Sequence, residues 1–298
     1  MNSSIIALAV LASAAAAHAQ TGRYYVTDES GFNQVWQFQG GALVGTFPTN
    51  PAGGADGPII VDGNTNTVRS VKGGFIGGAA PSFGTEYNFA GVPVGAPGSL
   101  SLNPAAQVGY GRVIDAAFDG TNTYIVHGFS GTAGVFQYGA NFSGAGTLMF
   151  NITGPNASTA QGITYDTLTQ TIWTSDYDFG VAAGQVRQWN AAGQQINSFL
   201  VVNNAGQGSE RNTALAYDQS DDTFWMNAHV ENSLGFGIGE LWQFSRNGTF
   251  LQSIHAQQTN PNAPANILYW GGEIFLIPTP SAAALLGLGG LVALRRRR

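Results

Sequence analysis

The side chains that could do chemistry are few, and they follow the ends of short hydrophobic runs. His127 and His229 come at comparable places in two such runs, and Asp176 and Asp178 follow a third. Neutral imidazoles and carboxylates are common protein ligands of divalent metal ions. If the ends of these runs meet in space, the four residues are candidate metal ligands. If they do not meet, they are polar residues at strand ends.

Motifs that accompany particular reactions do not support an enzyme. The sequence contains no HExxH motif, no D-x-D-x-D-G calcium loop and no G-x-S-x-G nucleophile elbow. It has no cysteine, which excludes zinc–thiolate sites and cysteine nucleophiles. The only lysine, Lys72, does not lie in a phosphate-binding loop. We therefore expect no catalytic residues, although the question of an enzyme stays open.

The charge distribution argues against nucleic acid as a partner. The net charge is -6, but four of the 11 basic residues are the terminal arginines, so the rest of the chain is more acidic still. An acidic body does not attract a phosphate backbone. Charged residues make up only 9% of the chain, so the surface must consist largely of neutral polar residues. Such a surface suits an extracellular protein with carbohydrate as a neighbour.

A tetrapeptide pattern with a central amide recurs five times at a period of about 50 residues. The amides are Gln37, Asn88, Gln137, Gln188 and Gln243, at spacings of 51, 49, 51 and 55. Each is followed directly by an aromatic residue and then by a Gly-containing turn and a second apolar run. Short runs rich in Val, Ile, Tyr, Phe and Trp, separated by Gly, Asn and Asp, indicate strands. The pattern predicts a β-hairpin repeated five times.

A second hairpin precedes four of these repeats, with an Asp at the start of its turn. The four turn residues are Asp62, Asp119, Asp166 and Asp218. Asp at that place accepts hydrogen bonds from its own backbone and closes the reversal. A degenerate fifth copy, at 266–277, would turn at Gly271-Gly272.

Two hairpins for every 50 residues predict a four-stranded antiparallel unit, and radial stacking of such units gives a β-propeller. The hairpin count predicts five blades over residues 20–277. Blade one would close the ring by taking its first strand from 266–269 and its second from 23–27, leaving 273–277 as an extra strand. A six-bladed ring and a β-sandwich or jelly roll are the alternatives. The six tryptophans are expected in the core rather than in a sugar-binding groove: Trp36, Trp173, Trp189, Trp225, Trp242 and Trp270.

These repeats resemble the NHL-like and lactonase-like propellers of exported bacterial proteins. In lactonase-like propellers, carboxylate and amide oxygens converge on the axis and hold a calcium ion. The resemblance implies that calcium is the one cofactor to consider here. Its ligands would come from residues that follow the second strands: Asp28, Glu29, Asp176, Asp178, Asn227 and Glu231.

The N-terminus has the pattern of a secretory signal peptide. An apolar stretch from Ile5 to Ala17 leads into Ala17-His18-Ala19, which fits the small-x-small cleavage pattern. We expect a signal helix over residues 1–19 and a mature chain that begins at Gln20. An uncleaved N-terminal anchor is the alternative.

The C-terminus, 278–298, is a hydrophobic helix between two signals. Pro278-Thr279-Pro280 precedes it, and Arg295, Arg296, Arg297 and Arg298 follow it. As a helix, the uncharged segment 281–294 reaches about 21 Å, which is short of a hydrocarbon core of about 30 Å. The arginines would hold the C-terminus on the cytoplasmic side.

This three-part tail resembles the PEP-CTERM sorting signal of exported bacterial proteins. In that family a membrane protease, exosortase, recognises the Pro-x-Pro motif and removes the tail. Thr279 stands where the family has its glutamate. The resemblance implies partners in the secretion machinery and an exosortase-type protease. A plain single-span anchor is the alternative.

The sequence predicts an exported protein of the cell envelope, surface or extracellular matrix, without a catalytic role. Extracellular polysaccharide is a candidate partner. One alternative is a propeller that binds a glycan or a protein on one face. The other is a lactonase- or lyase-like enzyme with an axial metal ion. Propellers serve many functions, so the fold does not choose among these.

Overall fold

A computed structural model describes residues 21–28, 32–49, 56–75, 82–103, 112–128, 132–176, 183–228 and 239–277. The predicted signal peptide, 1–19, and the predicted sorting tail, 278–298, lie outside these ranges. Among the described residues, no helix is both long enough and apolar enough to cross a membrane.

The described chain is made almost wholly of strands. In chain order these are β1 (Thr21–Asp28), β2 (Gln34–Gln39), β3 (Ala42–Pro48), β4 (Asp56–Asp62), β5 (Thr67–Lys72), β6 (Gly74–Phe75), β7 (Ser82–Asn88), β8 (Leu100–Leu102), β9 (Arg112–Phe118), β10 (Asn122–Gly128), β11 (Ala133–Gly139), β12 (Thr147–Ile152), β13 (Ala160–Asp166), β14 (Thr171–Asp176), β15 (Gln185–Trp189), β16 (Gln195–Leu200), β17 (Ala216–Asp218), β18 (Thr223–Ala228), β19 (Glu240–Ser245), β20 (Phe250–Ile254) and β21 (Tyr269–Ile277). A 3-10 turn, Ala157–Thr159, and one short helix, α1 (Ala256–Thr259), complete the set.

The strands form five antiparallel sheets, which confirms the predicted propeller of four-stranded blades. Blade 1 has the order β21-β1-β2-β3, blade 2 β4-β5-β7-β8, blade 4 β13-β14-β15-β16 and blade 5 β17-β18-β19-β20. Blade 3 has the order β9-β10-β11-β12, and β6 adds to the inner side of β9. The first strands β21, β4, β9, β13 and β17 contact one another in sequence and close a ring around the axis.

The predicted aspartate turns join the first two strands of blades 2 to 5. One carboxylate oxygen of each aspartate accepts the backbone N–H two residues on, at 2.7 to 2.9 Å. This bond holds the reversal in place because the side chain substitutes for a backbone acceptor. The four residues are Asp62, Asp119, Asp166 and Asp218.

The core lies between the blades, where aromatic side chains from neighbouring sheets meet. All six tryptophans are buried; Trp225, the most exposed, retains only 7% of its accessible surface. The prediction that they pack in the core is confirmed. In at least two blades, the repeated amide side chain links the third strand to the second strand. Gln188 and Gln243 each donate from Nε2 to a threonine hydroxyl on the neighbouring second strand, at 2.8 and 2.9 Å.

The ring closes through a longer strand than we predicted. The segment 269–277 is one strand, and it pairs with β1 from Thr21↔Ile277 to Asp28↔Tyr269. The predicted turn at Gly271-Gly272 is therefore wrong. Both glycines lie within β21 because other backbone segments approach it closely. A Cβ on Gly271 would lie 2.3 Å from the Gly57 carbonyl oxygen.

Candidate functional site

The two faces of the ring differ in which connections they carry. We call the face that carries the aspartate turns and the third-to-fourth-strand turns the turn face. The opposite face carries the connections between second and third strands, and we call it the loop face. The predicted metal ligands belong to the loop face, because they follow second strands.

Two predicted ligands of the loop face, Asp28 and Asp176, hold the third strand of their own blade. The carboxylate of Asp176 forms a two-pronged ion pair with Arg187, with both Nη–Oδ distances at 3.0 Å, and both side chains are buried. The carboxylate of Asp28 accepts the backbone N–H groups of Phe32 and Gln34 at 3.1 and 3.2 Å. These carboxylates order the start of a third strand.

His127 also has partners inside its blade. Its Nε2 lies 3.2 Å from the Tyr138 hydroxyl, and its ring meets Phe136 edge-on at a centroid distance of 4.9 Å. Burial lowers the pKa of His127 to about 3, because the charged imidazolium would lose its hydration. The ring is therefore neutral at ordinary pH.

The structure does not bring the predicted metal ligands together within its described part. Asn227 donates weakly, at 3.4 Å, to the Arg211 carbonyl oxygen and the Thr213 hydroxyl. Asp178, His229, Glu29 and Glu231 lie outside the described residues. Among the residues that are described, no three His, Asp or Glu side chains form a group that could hold a metal ion. The four-residue metal site stays a prediction.

Sequence reasoning missed the carboxylate that lies at the centre of the ring. Asp115, on β9, is fully buried. Its Oδ1 accepts the N–H groups of Ala116 and Gly272 at 2.9 and 2.8 Å, and its Oδ2 accepts those of Ile163 and Leu215 at 3.1 and 2.9 Å. One side chain thereby joins the inner edges of blades 3, 4, 5 and 1. Burial raises the pKa of Asp115, and the backbone donors oppose that shift.

A second buried acid, Glu273 on β21, lies near Asp115. Its carboxyl oxygens accept the N–H groups of Phe118 and Ile274 at 3.2 and 3.3 Å. Burial raises the pKa of Glu273 to about 8.

The sequence contains a weak signal for Asp115. At the matching position, four residues before the turn aspartate, the other blades have Pro58, Gly162 and Ala214. A carboxylate at an otherwise small or apolar position indicates a specific buried role.

A cavity with mixed polar and apolar walls opens on the turn face between blades 5 and 1. It has a volume of about 310 Å³. Its polar wall contains Asp218, Asp221 and Gln243, and its apolar wall contains Ile254 and Trp225. We call it the seam cleft, since it lies where the two ends of the described chain pair. None of its residues was predicted from the sequence to be a metal ligand.

Comparison with known proteins supports the fold and goes no further. No protein-family model and no curated protein matches the chain. A chain of the nidogen/laminin complex superposes with a TM-score of 0.51 and 8% identity, over 87% of this chain and 99% of that one. TolB from Acinetobacter baumannii gives 0.47 and 8%, over 86% and 67%. A functionally unknown protein from Desulfotomaculum acetoxidans gives 0.46 and 12%, over 84% and 89%.

At such identities only the fold is shared. The chain is thus an all-β protein with five propeller blades.

Proposed function

We propose that this chain is an exported, non-catalytic propeller that a sorting tail directs to the cell envelope or the extracellular matrix. The observation that carries the proposal is the pairing of Thr21 with Ile277. The predicted signal cleavage after Ala19 leaves one residue before β1, and the predicted Pro-Thr-Pro motif begins directly after β21. Both processing sites therefore flank the strands that close the ring, and cleavage at both leaves every blade complete.

The paired ends also support access for two membrane enzymes. Thr21 and Ile277 are paired at the turn face. The sites for a signal peptidase and for an exosortase-type protease would therefore lie close to each other. The tail can stay in the membrane while blade 1 is already folded, since β21 ends where the tail begins. Pro278 cannot donate a backbone hydrogen bond, so it favours the end of the strand at that point.

A structural role for the body is supported by the use of its buried acids. Asp28, Asp115 and Asp176 accept hydrogen bonds from backbone or arginine groups within the ring. A carboxylate that is saturated by such donors is a poor general base and a poor nucleophile, because its lone pairs are occupied. These acids stabilise the ring and position its strands.

The test is the intact mass of the protein recovered from its native host, with cells separated into cytoplasmic, membrane and extracellular fractions. We expect an extracellular or outer-envelope species that begins at Gln20 and ends near Pro278 or Pro280. A chain that retains Met1 in the cytoplasmic fraction would overturn export. A mature chain that retains Arg298 in the membrane would overturn sorting by tail removal and favour a plain anchor.

A further inference from the structure

Three of the seams between neighbouring blades are closed in the same way. A phenylalanine on the fourth strand of one blade packs beneath a glycine in the third-to-fourth-strand turn of the next blade. A Cβ added to that glycine would lie only 2.2 to 2.4 Å from the phenylalanine Cβ, so no larger residue fits. The pairs are Phe47–Gly91, Phe150–Gly193 and Phe199–Gly248.

The seam between blades 5 and 1 has an isoleucine at this position. Ile254 pairs with Leu241 in the register in which Phe199 pairs with Val186. The turn glycine is Gly41, whose φ of 80° is like those of the other three turns. A Cβ on Gly41 would lie 3.5 Å from Cγ2 of Ile254, an ordinary contact distance. The smaller side chain leaves the seam open, and the seam cleft is the space that results.

The polar wall of the cleft presents an unused acceptor. Asp218 is 6% exposed. Its Oδ1 accepts the N–H and the hydroxyl of Ser220 at 2.9 and 2.5 Å. Its Oδ2 receives no hydrogen bond from the described residues, although Asp218 lines the cleft. Because Asp218 lines the cleft, this oxygen can accept a hydrogen bond from a bound ligand.

The amides beside Asp218 are already oriented by one another. Gln243 donates from Nε2 to Oδ2 of Asp221 at 3.3 Å, and Gln252 donates from Nε2 to Oε1 of Gln243 at 2.7 Å. In this series of hydrogen bonds Gln252 donates, so its side-chain carbonyl oxygen is a further acceptor at the cleft. Fixed polar groups lose little conformational entropy when a ligand binds.

We propose that the seam cleft binds a neutral sugar residue. Its hydroxyls would donate to Asp218 and Asp221, and its C–H face would pack against Ile254 and the edge of Trp225. The described residues that line the cleft include two carboxylates and no lysine or arginine, which makes it unfavourable for phosphates and uronic acids. A mixed wall with a few fixed polar groups is typical of small-molecule sites, and the volume lies at the lower end of their range. This inference does not depend on export.

The experiment is saturation-transfer NMR of the purified propeller with a defined panel of ligands. The panel contains glucose, galactose, mannose and N-acetylglucosamine, the β-linked trisaccharide of each, galacturonic acid and spermidine, at up to about 20 mM. We expect at least one neutral sugar to bind with a Kd in the millimolar range, and galacturonic acid not to bind. Tighter binding of the trisaccharide than of the monosaccharide would identify a polysaccharide as the source, and equal binding would identify a free sugar.

The decisive variant is Ile254→Phe, which introduces the side chain found in the three closed seams. It should fold normally and weaken sugar binding at least about 10-fold, because the ring occupies the cleft. Ile196→Phe is the matched control, since Ile196 is an exposed residue on the fourth strand of blade 4. It should bind as the wild type does. Asp218→Asn keeps an acceptor for the turn and should weaken binding by a similar factor.

Three results would overturn the proposal. The first is that no neutral sugar of the panel binds. The second is that Ile254→Phe, with an unchanged circular dichroism spectrum, binds sugar as well as Ile196→Phe does. The third is that spermidine binds while the sugars do not, which would make the cleft a site for cations.

Discussion

Replacing Asp115 by asparagine tests whether one carboxylate joins the inner strands of the ring. The wild-type side chain accepts four backbone N–H groups, two on each oxygen. An asparagine can accept only two of them, and its NH2 group then faces the other two donors. Either orientation leaves two buried backbone N–H groups without an acceptor. In one orientation these are the groups of Ile163 and Leu215, in blades 4 and 5.

The expected loss follows from that count. A buried donor without a partner costs about 1–3 kcal/mol, so two of them lower the free energy of unfolding by about 2–6 kcal/mol. For a domain of this size, each kcal/mol lowers Tm by about 2–4 °C. A loss near the middle of the range therefore corresponds to a fall in Tm of about 8–16 °C. The substitution should lower the stability of the whole ring, because the four hydrogen bonds join different blades.

Urea denaturation followed by tryptophan fluorescence measures this loss, with Tm from calorimetry as a second measurement. Asp119→Asn is the control. Asp119 accepts the N–H groups of Thr121 and Asn122 in an accessible turn, and asparagine closes such turns well. We expect the control to lose about 1 kcal/mol or less. If Asp115→Asn unfolds within about 1 kcal/mol of the wild type, the four bonds do not stabilise the ring as we argue.

Three further predictions concern pH, a buried ion pair and the closed seams. Burial raises the pKa of Glu273 from 4.5 to about 8 in the folded protein. The free energy of unfolding should therefore fall as pH rises from about 4.5 to 8, by at most about 1.4 kcal/mol per pH unit. Glu273→Gln should reduce this pH dependence in urea titrations at pH 5, 6.5 and 8. An unchanged slope would show that another group titrates. Arg187→Met should lower the free energy of unfolding by about 3–5 kcal/mol, because it leaves the buried Asp176 carboxylate without its counter-ion. Adding Asp176→Leu should restore much of that stability, because it removes the unpaired charge. If the double variant is no more stable than Arg187→Met, the charge argument is wrong. Gly248→Ala should lower Tm more than Gly41→Ala, because both have positive φ but only the first meets a phenylalanine at 2.4 Å; equal shifts would mean that the two seams are packed alike.

Much of the ring could be predicted because its signals are local. An aspartate that binds the N–H two residues on marks a turn wherever it occurs, so Asp62, Asp119, Asp166 and Asp218 are visible in the sequence alone. The count of the repeated hairpins predicted five blades, with six as the alternative, and the structure has five. The glycines of β21 were misread as a turn, because a close approach by a distant segment and a tight reversal both require glycine.

The candidate site could not be predicted in the same way. The seam cleft joins side chains near residue 40 to others near residue 220 and residue 254, and their meeting depends on which blade closes the ring. An isoleucine in the place of a phenylalanine is visible only after the fourth strands have been aligned through their third-strand partners. A free carboxylate oxygen on Asp218 becomes apparent only when all of its neighbours are known.

By itself, the sequence determined the class of fold, the blade length and the turn chemistry, while the two terminal signals for export stay predictions. These follow from residue type and from spacing over a few residues, since hairpins and turns form between neighbours in the chain. Only the tertiary structure decided that Asp115 joins four blades, that Asp176 pairs with Arg187 and that the seam between blades 5 and 1 stays open. The partners of Asp115 include residues 48, 100 and 157 positions away. Contacts over such separations follow from ring closure, which no local pattern encodes.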